Sequence, residues 1–158
     1  MEKVLVSNAQ KCVGCRICEQ WCSMEHFGVI NPTKSRIRVI RLHEAAMDVP
    51  LSCSQCDTAP CQKACPADAI TKNQTTGALI VDEGTCFGCQ KCVKACPNGA
   101  VSFVKETKKA LICDLCDGAP VCAKVCPEGA IQYTLVSSVD ASFKAQAAKE
   151  IVASKGGK

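Results

Sequence analysis

The chain has 158 residues, of which 4% are aromatic and 47% count as hydrophobic, but 16 of that apolar class are cysteines. So few bulky apolar side chains exclude two independent cores and leave one compact domain that needs metal or cross-links as well as burial. The formal charge of +4 is small and its Lys and Arg residues are scattered, which does not fit the dense basic face that nucleic acid demands.

The opening "MEKVLVSNAQ" holds one short apolar run, Val4 to Ser7, that reads as a strand. It has no apolar stretch of signal-peptide length, no small-residue cleavage site and no twin arginine. No later run reaches 18 consecutive apolar residues. The expected location is therefore the cytoplasm, without membrane insertion, where thiols stay reduced and clustered cysteines mean metal or redox chemistry.

The first cysteine group, "CVGCRICEQWC", follows at once. A long connection, Ser23 to Ser52, contains "SRIRVIRLH", read as a strand over Arg36 to Leu42. There Ile37, Val39 and Arg41 face one way and Arg36, Arg38 and Ile40 the other; a solvated strand face is the favoured reading over an arginine stripe for a partner. After the second group, "CSQCDTAPCQKACP", come strands Ala69 to Lys72 and Ala78 to Val81, joined through "NQTTG" as a hairpin. The third group, "CFGCQKCVKACP", precedes strands Val101 to Val104 and Ala110 to Ile112. The fourth, "CDLCDGAPVCAKVCP", precedes a strand over Ile131 to Val136. In the tail, residues 136–158, Val139, Phe143 and Ala147 sit at i, i+4 spacing and predict a helix from about Val139 to Ala153.

The cysteines thus form four copies of one unit: 12, 15, 18, 22; 53, 56, 61, 65; 86, 89, 92, 96; and 113, 116, 122, 126. The last two of each quartet, four apart, can begin a short helix, and Pro limits it in all but the first, where Ser23 follows Cys22. Ala-Pro in the second and fourth groups inserts a turn that displaces the third thiol. Disulfides have no reason to repeat such spacing, and a zinc ribbon separates its knuckles by a long gap. A 4Fe-4S cube takes three thiolates from one tight C-x2-C-x2-C loop and the fourth from elsewhere, and the run ending in C-P is the bacterial ferredoxin pattern, whose fourth Cys ligates the other cluster of a pair. Four 4Fe-4S clusters are therefore expected, which lowers the net charge to roughly −4 if each core carries about +2. Gly14 and Gly88 remove side chains where backbone approaches the inorganic core and free N–H groups for sulfide.

The Cys65 to Cys86 gap resembles that of two-cluster ferredoxins, so residues 53–97 read as an inserted core that leaves the first and last quartets to pair. Pairing first with second and third with fourth stays open on spacing alone. The fold class is α+β, with tandem or nested ferredoxin-like modules of short hairpins and short helices around the clusters. A four-cluster domain spans 1–135, with an inner core of about 50–104 and an outer module from 1–49 plus 105–135.

The four quartets, with the widened "CSQCDTAPCQKACP" and "CDLCDGAPVCAKVCP", resemble the electron-transfer subunits similar to the beta subunits of the dimethyl sulfoxide reductase family, over about residues 3–135. Within it, "KCVGCRICEQWCSMEHFGVINPTKSRIRV" looks most like the small iron-sulfur subunit of bacterial tungsten-containing aldehyde oxidoreductases. The resemblance implies nested pairing: Cys12, Cys15, Cys18 and Cys126 on one cluster; Cys113, Cys116, Cys122 and Cys22 on a second; Cys53, Cys56, Cys61 and Cys96 on a third; Cys86, Cys89, Cys92 and Cys65 on a fourth. It implies a larger catalytic partner with a tungsten or molybdenum pterin, and a flavin subunit or soluble ferredoxin beyond it, with self-stacking of copies as a further arrangement.

No catalytic residue is expected, for the chain has no nucleophile with a paired base and no flavin, nicotinamide or phosphate-loop fingerprint. A free-standing polyferredoxin carrier is the second reading, and a zinc-binding structural module a remote third. His26 and His43 read as ordinary surface or packing residues, and Trp21 as a shield over Cys22. Lys11, Arg16, Lys91 and Lys94 either raise cluster potentials or are plain surface charge.

Overall fold

The computed structural model describes residues 3–135. The tail helix expected between Val139 and Ala153 lies outside the described residues, as does Val136.

Among the described residues, eight strands make four two-stranded antiparallel ribbons. Strand β1 (Lys3–Ser7) pairs with β8 (Ile131–Leu135), Lys3 opposite Leu135 and Ser7 opposite Ile131. The hairpins are β2 (Arg38–Leu42) with β3 (Met47–Leu51), β4 (Ile70–Lys72) with β5 (Leu79–Val81), and β6 (Ser102–Val104) with β7 (Lys109–Leu111). The "NQTTG" turn joins β4 to β5, Asn73 Oδ1 accepting from Thr75 N at 2.8 Å. Helices α1 (Ile17–Phe27), α2 (Pro60–Lys63), α3 (Lys91–Ala95) and α4 (Val121–Val125) each start between the second and third cysteine of a quartet. They pack in pairs, α1 on α4 and α2 on α3. The result is a small ferredoxin-like α+β fold.

A lone two-stranded ribbon is marginal in water, so these ribbons depend on what lies beneath them. The core joins Ile37, Leu79, Leu115 and Ile131 with seven buried cysteines: Cys18, Cys22, Cys53, Cys61, Cys92, Cys113 and Cys122. Sulfur does much of the filling that aromatic rings do elsewhere.

Two sequence expectations are corrected in the connection after α1. Strand β3, "MDVPL", was not expected, because Pro50 lacks an N–H and demotes a run as a strand. It is tolerated since Val39, opposite Pro50, gives its N–H at 2.7 Å to Glu19 Oε1 instead of the ladder. The solvated-face reading holds at the end of β2, where Ile40, Arg41 and Leu42 are exposed, but Arg36 and Arg38 are tied back to the protein. Arg36 precedes β2 and pairs with the Asp114 carboxylate, while Arg38 donates to the carbonyls of Pro32 and Thr33.

Among the described residues helix α1 is the longest, because Ser23 stands where the other quartets have proline. Cys22 stays helical, and the helix runs on to Gly28, whose φ of +65° caps it. Ser23 is fully buried; its Oγ donates to Gln20 O at 2.9 Å and accepts from Asn31 N at 3.0 Å, which fixes the departing loop.

Glu19, 2% exposed, is the buried hinge between α1 and β2. Glu19→Ala orphans the Val39 N–H and is expected to cost about 1–3 kcal/mol, whereas Glu19→Gln keeps an acceptor and costs less. Denaturant midpoints of the iron-loaded variants check the order.

Candidate metal centres

Each quartet begins as a loop whose backbone is turned inward by left-handed residues. Gly14 and Arg16 have φ of +68° and +59°, and Gly88 and Gln90 have +80° and +59°, in the two narrow quartets. In the widened ones Gln55 and Ala59 (+48° and +39°), and Leu115, Cys116 and Asp117 (+60°, +45° and +52°), do the same. Alternating hand aims successive N–H groups into a concavity that suits anionic sulfur. The inserted Ala-Pro turns then start α2 and α4, with Pro60 in the first turn and Pro120 at the cap.

The thiols converge across quartets. Cys12, Cys15 and Cys18 line one cavity with Cys126. Cys86, Cys89 and Cys92 line another with Cys65. Each contains three thiols from one loop and the fourth from a different quartet. Cys96 stands close enough to Cys53 and Cys61 to oppose their ionisation, and Cys22 does so to Cys113 and Cys122. Among the described residues, Cys15 and Cys89 are the exposed cysteines.

Backbone donors reach sulfur, among them Gln55 N to Cys53 at 3.4 Å, Ala100 N to Cys96 at 3.3 Å, Ala130 N to Cys126 at 3.2 Å and Arg36 N to Cys22 at 3.3 Å. For Cys96 and Cys126 the donor is four residues on, because the following proline holds the cysteine extended. Cys22, locked in α1, takes its donor from fourteen residues away. The missing proline changes who bonds the sulfur and leaves its burial intact.

Burial pushes the Cys18 and Cys113 thiols up to about 12 and Cys53 up to about 11, with repulsion from neighbouring acidic groups adding to it. Cys122 rises further for the same reasons. Buried thiols raised in this way become thiolates only around a strongly cationic core. The donor set, three thiols from one loop and a fourth from another quartet, fits a 4Fe-4S cube.

Gly14 and Gly88 serve a purpose the sequence did not reveal. A Cβ on Gly14 would meet the Asp48 carboxylate, with Oδ2 at 2.4 Å, and one on Gly88 would meet the Lys108 carbonyl oxygen at 2.4 Å. The β2–β3 and β6–β7 hairpins close over these loops.

His26 is not an ordinary packing residue. Its Nδ1 donates to Cys22 O at 2.8 Å and its Nε2 to Asp114 Oδ1 at 3.0 Å. Acceptors at both nitrogens keep the ring doubly protonated; the Asp114 carboxylate, then the Cys116 and Cys22 thiols, push it up to about 12. Burial alone would raise Asp114, but His26 and Arg36 hold it well below the usual carboxylate range. The same imidazole and the Arg36 N–H outweigh burial at Cys22 and lower its thiol. His26 was legible only as a residue one turn beyond Cys22 on the same helix face. His43 is exposed, as expected.

Gln55 and Lys109 gave no local signal. Gln55 Nε2 donates to Cys113 O at 2.5 Å, and its Oε1 accepts from Leu79 N at 2.8 Å. Lys109 Nζ donates to Cys86 O at 2.5 Å. Lys11, Arg16, Lys91 and Lys94 are all exposed. Trp21 is 49% exposed beside Met24 and Ile30, so the indole does not form the closed shield expected over Cys22.

Residues 45–135, which hold the second, third and fourth quartets, match the model of the 4Fe-4S dicluster domain. The polyferredoxin-like subunit of an aliphatic sulfonate oxidoreductase from Pyrococcus furiosus is 45% identical over 106 residues, 67% of this chain and 61% of that protein. The electron transport protein HydN of Escherichia coli K12 is 33% identical over 109 residues, 66% of this chain and 61% of its own. The chain thus spans about three fifths of the length of these curated relatives. Among solved structures, the active site complex BamBC of benzoyl coenzyme A reductase with benzoyl-CoA contains a chain that superposes at a TM-score of 0.51 with 29% identity, covering 98% of this chain and 92% of that one. The chain belongs to the 4Fe-4S dicluster domain family.

Proposed function

We propose that this chain is a non-catalytic electron-transfer subunit with four 4Fe-4S clusters. It relays single electrons between a larger catalytic oxidoreductase subunit and an acceptor or further redox subunit. The observation that carries the reading is the pair of cavities in which three thiols of one quartet meet the fourth of another. Cys12, Cys15, Cys18 and Cys126 hold one cluster, and Cys86, Cys89, Cys92 and Cys65 hold another. Cys113, Cys116, Cys122 and Cys22 hold the second member of the outer pair, and Cys53, Cys56, Cys61 and Cys96 that of the inner pair. The β1–β8 ribbon and the packing of α1 on α4 support an outer module of 1–49 plus 105–135 around an inner core of about 50–104.

The clusters supply one-electron chemistry without open coordination positions. The residues insulate, position and tune. Buried Leu79, Leu115 and Ile131 keep water from the sulfurs, and backbone N–H groups aimed at thiolate sulfur favour the reduced state. Cys18 and Cys22 share α1 and so link the outer pair; Gln55, bonded to Cys113 O and to β5, spans from the outer pair to the inner.

The catalytic partner is inferred from the names of the relatives, which include an oxidoreductase subunit, and from the solved complex of benzoyl coenzyme A reductase. The family resemblance of the first quartet further suggests a tungsten or molybdenum pterin aldehyde oxidoreductase, in the cytoplasm. Among the described residues no helix is long and apolar enough to cross a membrane.

Anaerobic purification of the native protein is expected to give about sixteen irons per chain, a brown colour bleached by dithionite, and a co-purifying larger subunit containing tungsten or molybdenum. Zinc in place of iron overturns the reading, and sixteen irons without a larger subunit favours the free carrier.

A further inference from the structure

We propose that the two end clusters are biased to different potentials by opposite charges built into the hairpins that cover them, Asp48 at one end and Lys109 at the other, so that electrons run from the Cys15 end to the Cys89 end. The inference rests on the four-cluster reading above and adds to it a direction.

The ends are defined by exposure. Cys15 and Cys89 are the exposed cysteines among those described, and they belong to the two cavities just assigned. The remaining eight thiols lie between, joined where Gln55 Nε2 bonds Cys113 O. An electron enters and leaves most readily where a ligand reaches solvent.

The covering hairpins correspond in place but not in charge. At the first end β3 lies on the Cys12–Cys15 loop, so that the Asp48 carboxylate touches the space a Gly14 Cβ would fill. At the other end β7 and its preceding turn lie on the Cys86–Cys89 loop. There the Lys108 carbonyl touches the equivalent space at Gly88, and the Lys109 ammonium bonds Cys86 O at 2.5 Å. A fixed anion opposes the extra electron of a reduced cluster and lowers its potential, while a fixed cation raises it.

The counter-charges are more exposed than Asp48 and Lys109: Lys11, Arg16 and Glu128, which line the Cys12–Cys126 cavity, are all exposed. Arg41 bonds Asp48 at 3.0 and 2.7 Å, but the Arg41 side chain is 55% exposed and that of Asp48 only 11%. Solvent therefore screens the guanidinium more than the carboxylate. Arg16 and His43 also face Asp48, both exposed, and Arg16 lies 3.6 Å from Glu19. Asp82 faces Lys109 and is exposed, whereas Lys109 is half-buried. The Arg41 bonds keep Asp48 ionised, holding it below the usual carboxylate range.

The redox step is simple to balance. A one-electron donor, here a centre of the catalytic partner, is oxidised as the Cys15-end cluster is reduced. The electron leaves from the Cys89 end to a one-electron acceptor of the ferredoxin class, and no bond is made or broken.

The test is an EPR-monitored redox titration of the full iron-loaded chain and its variants. Asp48→Asn is expected to raise one midpoint and Lys109→Gln to lower a different one. In each case the reduced-to-oxidised ratio of that cluster at fixed potential changes about tenfold, equivalent to about 59 mV for one electron. Lys109→Arg retains the wild-type midpoint. Should Asp48→Asn fail to load iron, Arg41→Gln carries that arm, since removing the screened cation must lower the same end. Midpoints that do not move, or that move in the same direction for both charges, overturn the gradient while about sixteen irons leave the four-cluster reading standing. A wild-type chain that holds far fewer irons sinks that reading, and the gradient with it.

Discussion

Replacing Cys65 and Cys86 together by alanine is expected to abolish one cluster, with about four irons lost, and to leave the EPR signals of the other three unchanged. Replacing Cys65 and Cys53 together is expected to damage two clusters. Cys65 and Cys53 belong to one quartet, whereas Cys65 and Cys86 line one cavity. A cubane that loses two of four thiolates cannot persist, while two cubanes that each lose one are both altered, however many irons they shed. The readout is thus one cluster against two. The outer pair gives the same contrast, with Cys126 and Cys12, which share a cavity, against Cys126 and Cys113. Quartets that kept their own fourth thiols would reverse both results. Pairing first with second and third with fourth would make every double variant damage two clusters.

Much of the fold was legible because cysteine spacing is local and covalent. The i, i+4 thiols lie at or beside four short helices, and seven of the eight strands were expected within two residues of their observed limits. Legibility fails where a role depends on residues far apart in sequence. Pro50 conceals β3 because only the Glu19 carboxylate, on another element, explains how Val39 does without a ladder bond. Arg36 and His26 looked like surface residues because their common partner, Asp114, lies 78 and 88 positions away. Lys109 reads as one more lysine in "KETKKA" until the hairpin folds its ammonium onto Cys86. The cationic residues beside the cysteines in sequence are exposed, though Lys11 and Arg16 line the Cys12–Cys126 cavity; proximity along the chain gave no sign of Lys109.

Gly88→Ala is expected to be the most damaging of the glycine substitutions, costing of order 4 kcal/mol from left-handed strain and overpacking together. The new Cβ would lie 2.4 Å from a backbone oxygen, that of Lys108, at a φ of +80°. That oxygen cannot easily retreat, because Lys109 is paired with Val104 in the β6–β7 ribbon and its ammonium is tied to Cys86 O. Gly14→Ala meets a side chain instead, so the Asp48 carboxylate can swing away at the expense of its Arg41 bonds and the loss is smaller. At Gly99 and Gly28, with φ of +64° and +65° and nothing within 4 Å, alanine pays only the conformational term, about 1 kcal/mol. Denaturant midpoints and iron retention should therefore rank Gly88 worst, Gly14 next, and Gly99 and Gly28 nearly equal and mild. If Gly88→Ala proved no worse than Gly99→Ala, the hairpin could not be pressed against the Cys86–Cys89 loop. Lys109 would then lose the contact through which its charge reaches the cluster.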